Sequence, residues 1–156
     1  MAGYEPFLTQ VDLRADPSET ARVPYALPRI PNAAWEEGDR AALWLGPDEW
    51  LILGPPGAGA RIVEELAGAL EGVPHSIVDV SAARAALEIG GPGAHELLSK
   101  GCSLDLHPRE WRRGMCAQTL LARIPVILHE RADATGVLVR ASFADYLLDW
   151  LLFSAL

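Results

Sequence analysis

The sequence has few cysteines and little positive charge, and each shortage removes a class of function. Two cysteines, Cys102 and Cys116, occur in 156 residues. They are too few for a disulfide framework and are typical of a reduced cytoplasm. Acidic residues outnumber basic ones by 21 to 13, which gives a net charge of −8. We expect no nucleic-acid partner, because binding a phosphate backbone requires a basic surface.

The sequence also shows neither a targeting segment nor a membrane-spanning run. Residues 1–6 contain no basic region followed by an apolar stretch, which a signal peptide requires. The most apolar segment, residues 146–156, is interrupted by Asp149 and is far shorter than the ~20 residues that cross a bilayer. We therefore expect a cytoplasmic protein that does not bind membranes.

The order of strands and helices predicts an α+β fold. Hydrophobic residues make up 50% of the chain, enough for a real core. Alternating or short apolar runs predict strands at residues 7–13, 42–45, 50–53, 75–80, 83–89, 117–124, 125–129 and 135–141. Apolar spacing and turn residues predict helices at residues 61–70, from the glycines at 90–93 to Lys100, and at 142–156, where Ser142 is the expected N-cap. Helices gathered against a mainly antiparallel sheet give this class.

A proline-rich segment separates the first strand from the rest of the chain. Residues 14–40 contain Pro17, Pro24, Pro28 and Pro31, with Trp35 near the end. Proline removes a hydrogen-bond donor and fixes φ, so we expect little regular structure there. The segment is either a surface wrap or an arm that binds a partner. We predict an N-terminal strand and arm at residues 1–41 and an α+β domain at residues 42–156.

Two glycine-rich turns resemble nucleotide-binding loops without carrying their chemistry. The glycines of residues 54–59 have the spacing of a phosphate loop, but Ala60 and Arg61 replace its lysine and its Ser/Thr. The turn at residues 90–93 lacks the spacing of a dinucleotide fingerprint. We expect tight turns at both places, although an anion at the second helix start is physically possible.

The sequence predicts no catalytic, cofactor-binding or metal-binding residue. Cys102, Asp105 and His107 lie close in sequence, but structural zinc normally uses four ligands in short-spaced pairs. Nothing indicates the lowered pKa that a nucleophilic Cys102 would need. Asp79 stands alone, and a single carboxylate in a strand is usually a turn or cap residue.

The last predicted helix is the strongest candidate for a protein interface. Its polar positions are essentially Asp145, Asp149 and Ser154, so most of its circumference is apolar. Such a helix is expected to be buried against other residues on more than one side. Aromatic residues are typical interface anchors. In the alternative, Trp35 and the proline-rich segment cover this helix within the chain. The candidate interface residues are Trp35, Phe143, Leu147, Trp150, Leu151 and Phe153.

Three groups of residues, in this order and spacing, resemble the gamma subunit family of heterotetrameric sarcosine oxidase. They are Leu-Trp-Leu-Gly-Pro-Asp-Glu-Trp-Leu-Ile-Leu at 43–53, the stretches 78–81, 87–94, 97–102 and 105–108, and the pair 116–119 with 142–147. The resemblance runs from about residue 43 to the end of the sequence. That family is in turn similar to the folate-binding domain of the glycine-cleavage aminomethyltransferase.

The resemblance implies a related α+β fold with ferredoxin-like elements and a non-catalytic role. It implies an assembly that oxidatively demethylates sarcosine to glycine, uses oxygen, and passes the one-carbon unit to tetrahydrofolate. Flavin, NAD, zinc and the main tetrahydrofolate site are then expected in the other subunits. In isolation, a homodimer of the chain could take the place of the missing partners. The alternative is a stand-alone module that binds folate or a related one-carbon carrier.

Overall fold

The computed structural model describes residues 2–5 and 7–156 and divides the chain into two compact units. We call Phe7–Ser81 the N-terminal unit, and Met1–Pro6 with Ala82–Leu156 the C-terminal unit. The strands are β1 (Ala2–Glu5), β2 (Thr9–Ala15), β3 (Ala34–Glu37), β4 (Arg40–Gly46), β5 (Glu49–Gly54), β6 (His75–Asp79), β7 (Arg84–Gly90), β8 (Cys116–Leu121), β9 (Ile124–Glu130) and β10 (Ala134–Arg140). The α-helices are α1 (Gly59–Ala69), α2 (Ala94–Ser99) and α3 (Ala144–Ser154).

The N-terminal unit is a five-stranded antiparallel sheet in the order β3-β4-β5-β2-β6, with α1 packed on it. Ile62 and Leu66 of α1 are fully buried, as the apolar spacing of the helix predicts. They join a core that includes Leu13 and Trp50 of the sheet. Each such side chain contributes about 1.5–3 kcal/mol by leaving water.

The proline-rich segment folds onto the N-terminal unit. It begins with a short 3-10 helix, Pro17–Arg22, and later supplies β3. Val23 and Leu27 are buried in the core of the unit. The indole Nε1 of Trp50 donates a hydrogen bond of 2.7 Å to the carbonyl oxygen of Pro28. The segment therefore packs along the surface of its own unit.

The predicted boundary between residues 41 and 42 falls inside the N-terminal unit. β2 pairs with β5, and β3 pairs with β4, so strands from both sides of that boundary share one sheet. The observed division comes between Ser81 and Ala82 instead. Proline content gave the wrong signal because the segment packs its apolar residues on strands that follow it in the sequence.

The C-terminal unit is a second five-stranded antiparallel sheet in the order β1-β7-β10-β9-β8. Its core combines Leu98 of α2 and Leu147 and Leu151 of α3 with Leu128 and Val137 of the sheet. The two sheets and three short α-helices confirm the α+β prediction. Within the described residues, no helix has the length and apolar character needed to span a membrane.

Two local details differ from the sequence predictions. The strands β8 and β9 form a hairpin whose turn residues, Ala122 and Arg123, both have positive φ, 50° and 69°. No glycine or asparagine marks this turn. The predicted N-cap at Ser142 is wrong: α3 follows a 3-10 turn at Ala141–Phe143, and its N-cap residue is Phe143, without a side-chain cap hydrogen bond.

Candidate functional site

Helix α3 exposes several large apolar side chains of the C-terminal unit. Leu147 and Leu151, two of the predicted interface residues, are 0% and 1% exposed and belong to the core. They hold the helix on its own sheet and are not available to a partner. The exposed large apolar side chains of the helix, which we call the α3 surface, are Tyr146, Leu148, Leu152 and Phe153, with Phe153 79% exposed. The exposed Asp145 and Asp149 lie on the same helix.

Trp150 and Phe143 lie between these extremes. Trp150 is partly buried and packs on the core. A Cβ at Gly101 would lie 2.6 Å from its Cζ2 and 2.7 Å from its Cη2, so the indole covers the bare backbone of that glycine. Phe143, at the start of the helix, is 37% exposed. Trp150 is therefore an internal packing residue, whereas Phe143 and Phe153 present apolar area to solvent.

Trp35 lies in the N-terminal unit and stacks on a neighbouring ring. The centroids of Trp35 and Tyr25 are 5.6 Å apart, with 14° between the planes. The guanidinium carbon of Arg40 lies 5.3 Å from the centroid of the Tyr25 ring, and Arg40 also pairs with Glu65 at 2.9 Å. Burial raises the pKa of Tyr25 to about 12. This cluster fastens the proline-rich segment to its own unit.

The first glycine-rich turn already faces a carboxylate of the chain. Gly59 begins α1, and a Cβ at this position would collide with the carboxylate of Asp79. Ser81 fixes that carboxylate by donating from its backbone nitrogen at 2.9 Å and from its hydroxyl at 2.5 Å. An acidic side chain is favourable at the start of a helix. A phosphate would meet a negative charge here, which adds to the evidence from Ala60 and Arg61 against a nucleotide site.

The second glycine-rich turn borders a cavity of about 450 Å³ in the C-terminal unit. Gly90, Gly91 and Gly93 form one wall, and His95 and Glu130 supply polar groups. Glu130 is only 7% exposed. Because it is a buried carboxylate, it needs hydrogen-bond donors to offset the loss of water.

The chain supplies those donors to both oxygens of Glu130. Its Oε1 lies 2.8 Å from Nε2 of His95. Its Oε2 accepts from Nε1 of Trp111 at 2.6 Å and from the hydroxyl of Thr135 at 2.5 Å. The network ties α2, β9, β10 and the loop before β8 together, so we assign it a structural role.

Sequence reasoning missed the Glu130 network. Its members are far apart in the chain: His95 and Glu130 are separated by 35 positions, and Trp111 and Glu130 by 19. The available signal was a glutamate at the end of an apolar strand, which suggests a buried charge in need of partners. The sequence did not specify which partners.

The cysteine and metal candidates do not form a site. Cys102 is partly exposed and Cys116 is buried, and both are free thiols. The Sγ of Cys102 lies 3.8 Å from the hydroxyl of Thr119, while Asp105 accepts from the backbone nitrogen of His107. Among residues 2–5 and 7–156, no group of three or more potential ligands is placed to hold a metal ion.

His129, on β9, is a buried titratable group of the C-terminal unit. It is 3% exposed. Burial, together with the positive charge of Arg131, lowers its pKa to about 4. The ring is therefore neutral at physiological pH and acts as a packing residue of the sheet.

Comparisons with known proteins extend over both units. The sarcosine oxidase gamma subunit family model matches residues 13–155. The sarcosine oxidase subunit gamma of an Arthrobacter species is 38% identical over 154 residues, covering 94% of this chain and 75% of the relative. The solved heterotetrameric sarcosine oxidase from Corynebacterium sp. U-96, in complex with pyrrole 2-carboxylate, contains a chain that matches with a TM-score of 0.90 at 34% identity. That match covers 99% of this chain and 82% of the other.

A more distant likeness concerns the fold alone. The glycine cleavage system aminomethyltransferase T from Bartonella henselae matches with a TM-score of 0.73 at 14% identity, covering 97% of this chain and 45% of that protein. This agrees with the aminomethyltransferase-like fold expected from the sequence. The family match over residues 13–155 and the 38% identity to a curated gamma subunit establish that the chain belongs to the sarcosine oxidase gamma subunit family.

Proposed function

We propose that the chain is the gamma subunit of a cytoplasmic heterotetrameric sarcosine oxidase and that it contributes interface area rather than catalytic groups. The assembly would oxidatively demethylate sarcosine to glycine, with tetrahydrofolate as the one-carbon acceptor. Flavin, NAD, zinc and tetrahydrofolate would be bound by the other subunits. The observation that carries the proposal is the match of 99% of the chain, at 34% identity, to a chain of a heterotetrameric sarcosine oxidase.

The side chains of the C-terminal unit support a role in assembly. The buried carboxylate Glu130 receives internal donors at both oxygens, so its polar atoms hold the unit together. The α3 surface, in contrast, exposes large apolar side chains, with Leu152 58% and Phe153 79% exposed. Exposed aromatic and aliphatic groups close together are typical of protein interfaces.

We therefore propose that the α3 surface, together with Phe143, contacts another subunit. Trp150 is not used in the test because it covers Gly101, so truncating it would also disturb the fold. A stable interface buries about 1,200–2,000 Å² in total, so this helix would be the apolar centre of a larger contact. A charge placed at Phe153 would have to be buried there without a partner.

The test is co-expression of the tagged chain with the other subunits of its own oxidase. Wild type should co-purify as a flavin-coloured complex that oxidises sarcosine. Phe153→Glu should lower the affinity for the other subunits by about thirtyfold or more, because hot-spot substitutions cost about 2 kcal/mol or more. Its melting temperature alone should stay near that of wild type, since the side chain is exposed.

The matched control is Phe7→Glu, because Phe7 is 81% exposed and lies in the N-terminal unit. It should assemble normally. Equal assembly of both variants with wild type would remove the α3 surface from the interface. A colourless chain that recovers none of the other subunits would overturn the proposed function itself.

The folate-binding alternative receives no support from a particular residue. The aminomethyltransferase likeness at 14% identity concerns the fold. In the cavity beside Gly90, the carboxylate of Glu130 is already hydrogen-bonded to His95, Trp111 and Thr135. Titration of the isolated chain with tetrahydrofolate, followed by tryptophan fluorescence, checks this. We expect no saturable change at micromolar concentrations.

A further inference from the structure

An arginine-rich loop precedes β8 in the C-terminal unit. Arg109, Arg112 and Arg113 fall within five residues, and the chain has only 13 lysines and arginines in total. All three are exposed. Glu110 is the one carboxylate in the stretch 107–113, which we call the arginine loop. Its local positive charge contrasts with a net charge of −8 for the whole chain.

The arginine loop is fixed to the body of its unit. Trp111, in the middle, is 4% exposed and donates to Oε2 of Glu130 at 2.6 Å. The backbone nitrogen of Gly114, just after the loop, donates to the carbonyl oxygen of Glu130 at 3.2 Å. The backbone nitrogen of Glu130 in turn donates to the carbonyl oxygen of Met115 at 2.9 Å. An anchored backbone loses less conformational entropy when its side chains bind a partner.

Two arginines of the loop lack the ion pairs that hold Arg40 and Arg131. Arg40 pairs with Glu65 at 2.9 Å, and Arg131 pairs with Glu5 and Glu88. Over the part of the chain that the structure describes, Arg109 and Arg112 have no ion-pair partner. Their guanidinium groups are therefore available to a carboxylate from outside the chain.

We infer that the arginine loop docks on a carboxylate-rich patch of another subunit of the same oxidase. The inference rests on the proposed function and names the chemistry of a second contact, distinct from the apolar α3 surface. Arginine pairs with carboxylates through two parallel hydrogen bonds and is less strongly hydrated than lysine, so it suits interfaces. A polyanion such as nucleic acid is disfavoured as the occupant, because the overall negative charge of the chain would repel it.

The experiment compares charge reversals of equal size in the co-expressed complex. Arg109→Glu and Arg112→Glu change the loop, and Arg61→Glu on α1 is the control, because Arg61 is exposed and lies in the N-terminal unit. Affinity for the other subunits is measured at several salt concentrations. The loop variants should bind about tenfold or more weakly, and Arg109→Lys should lose less. Wild-type affinity should fall as salt rises.

The outcomes separate this inference from the proposed function. If wild type assembles and the loop variants assemble as well as Arg61→Glu, the docking surface is refuted while the proposed function stands. If wild type does not join the other subunits, both fail. Thermal melts of each variant alone show whether a loss reflects folding. Arg112→Glu decides the question if Arg109→Glu lowers the melting temperature.

Discussion

The indole of Trp150 lies over the backbone of Gly101, where a Cβ would come within 2.6 Å of the ring. The same Cβ would lie 3.1 Å from the backbone nitrogen of Ala122, which donates to the carbonyl oxygen of Gly101 at 3.0 Å. Helix α3 therefore sits on its unit only where a glycine leaves room. The position of the α3 surface depends on this contact.

Substitution of Gly101 by alanine should lower the stability of the C-terminal unit by about 1–3 kcal/mol, the usual cost of overpacking. Thermal or urea unfolding of the purified chain measures the loss. Trp150→Phe removes part of the ring that the new methyl group would meet. The double variant should then be more stable than the sum of the two single effects predicts. Strict additivity would show that the two residues do not constrain each other.

Two glycines of α1 should respond to alanine in opposite directions. At Gly59 the new methyl group would displace the Asp79 carboxylate from its hydrogen bonds with Ser81, at a cost of about 1–3 kcal/mol. At Gly68 a Cβ meets no heavy atom within 4 Å, so alanine should stabilise the helix by about 0.5–1 kcal/mol. Urea midpoints of the two variants provide the comparison. Equal effects would contradict the steric argument.

His129 should make the folded chain less stable in mild acid. Its pKa is about 4 in the fold, because burial and then Arg131 disfavour its charged form, and about 6.5 when unfolded. Between these values the unfolded chain binds the additional proton. Its contribution to stability is therefore complete above pH 6.5 and is lost as pH falls towards 4, with a slope of up to about 1.4 kcal/mol per pH unit.

The comparison with His129→Gln isolates this contribution. Glutamine does not titrate, so the difference in unfolding free energy between the two proteins should change between pH 6.5 and 4. Carboxylates common to both proteins cancel in that difference. A difference that stays constant across the window would show that His129 is protonated in the fold as readily as in the unfolded chain.

Strongly patterned local segments were predictable from sequence, whereas long-range partners were not. The apolar spacing over residues 61–70 predicts α1, and the apolar runs at 42–45 and 50–53 predict β4 and β5; these elements are confirmed. The proline-rich segment was expected to lack regular structure, yet β3 forms in it by pairing with β4. Proline removes the hydrogen-bond donor at its own position and restricts the residue before it, and Trp35 lies beyond the last of the four prolines.

The terminal helix also shows that long-range packing partners could not be predicted from the sequence. Its composition indicated that more than one side is covered, and Leu147 and Leu151 face the core as the apolar pattern allows. The pattern did not distinguish these two residues from Phe153, because all three are apolar. That distinction depends on the sheet beneath the helix and on Gly101, which is 49 positions before Trp150 in the chain.

Strand β1 has a consequence for how the polypeptide can be synthesised and divided. β1 pairs with β7 across four residue pairs, from Ala2 with Ile89 to Glu5 with Ala86. The whole N-terminal unit is inserted in the sequence between these partners. During synthesis on the ribosome, β1 cannot pair until β7 has emerged, whereas residues 7–81 can fold before that. A fragment starting at Ala82 would present the edge of β7 without its neighbour, and open strand edges promote aggregation. The chain is therefore best expressed whole, with any tag placed where it leaves β1 free to pair.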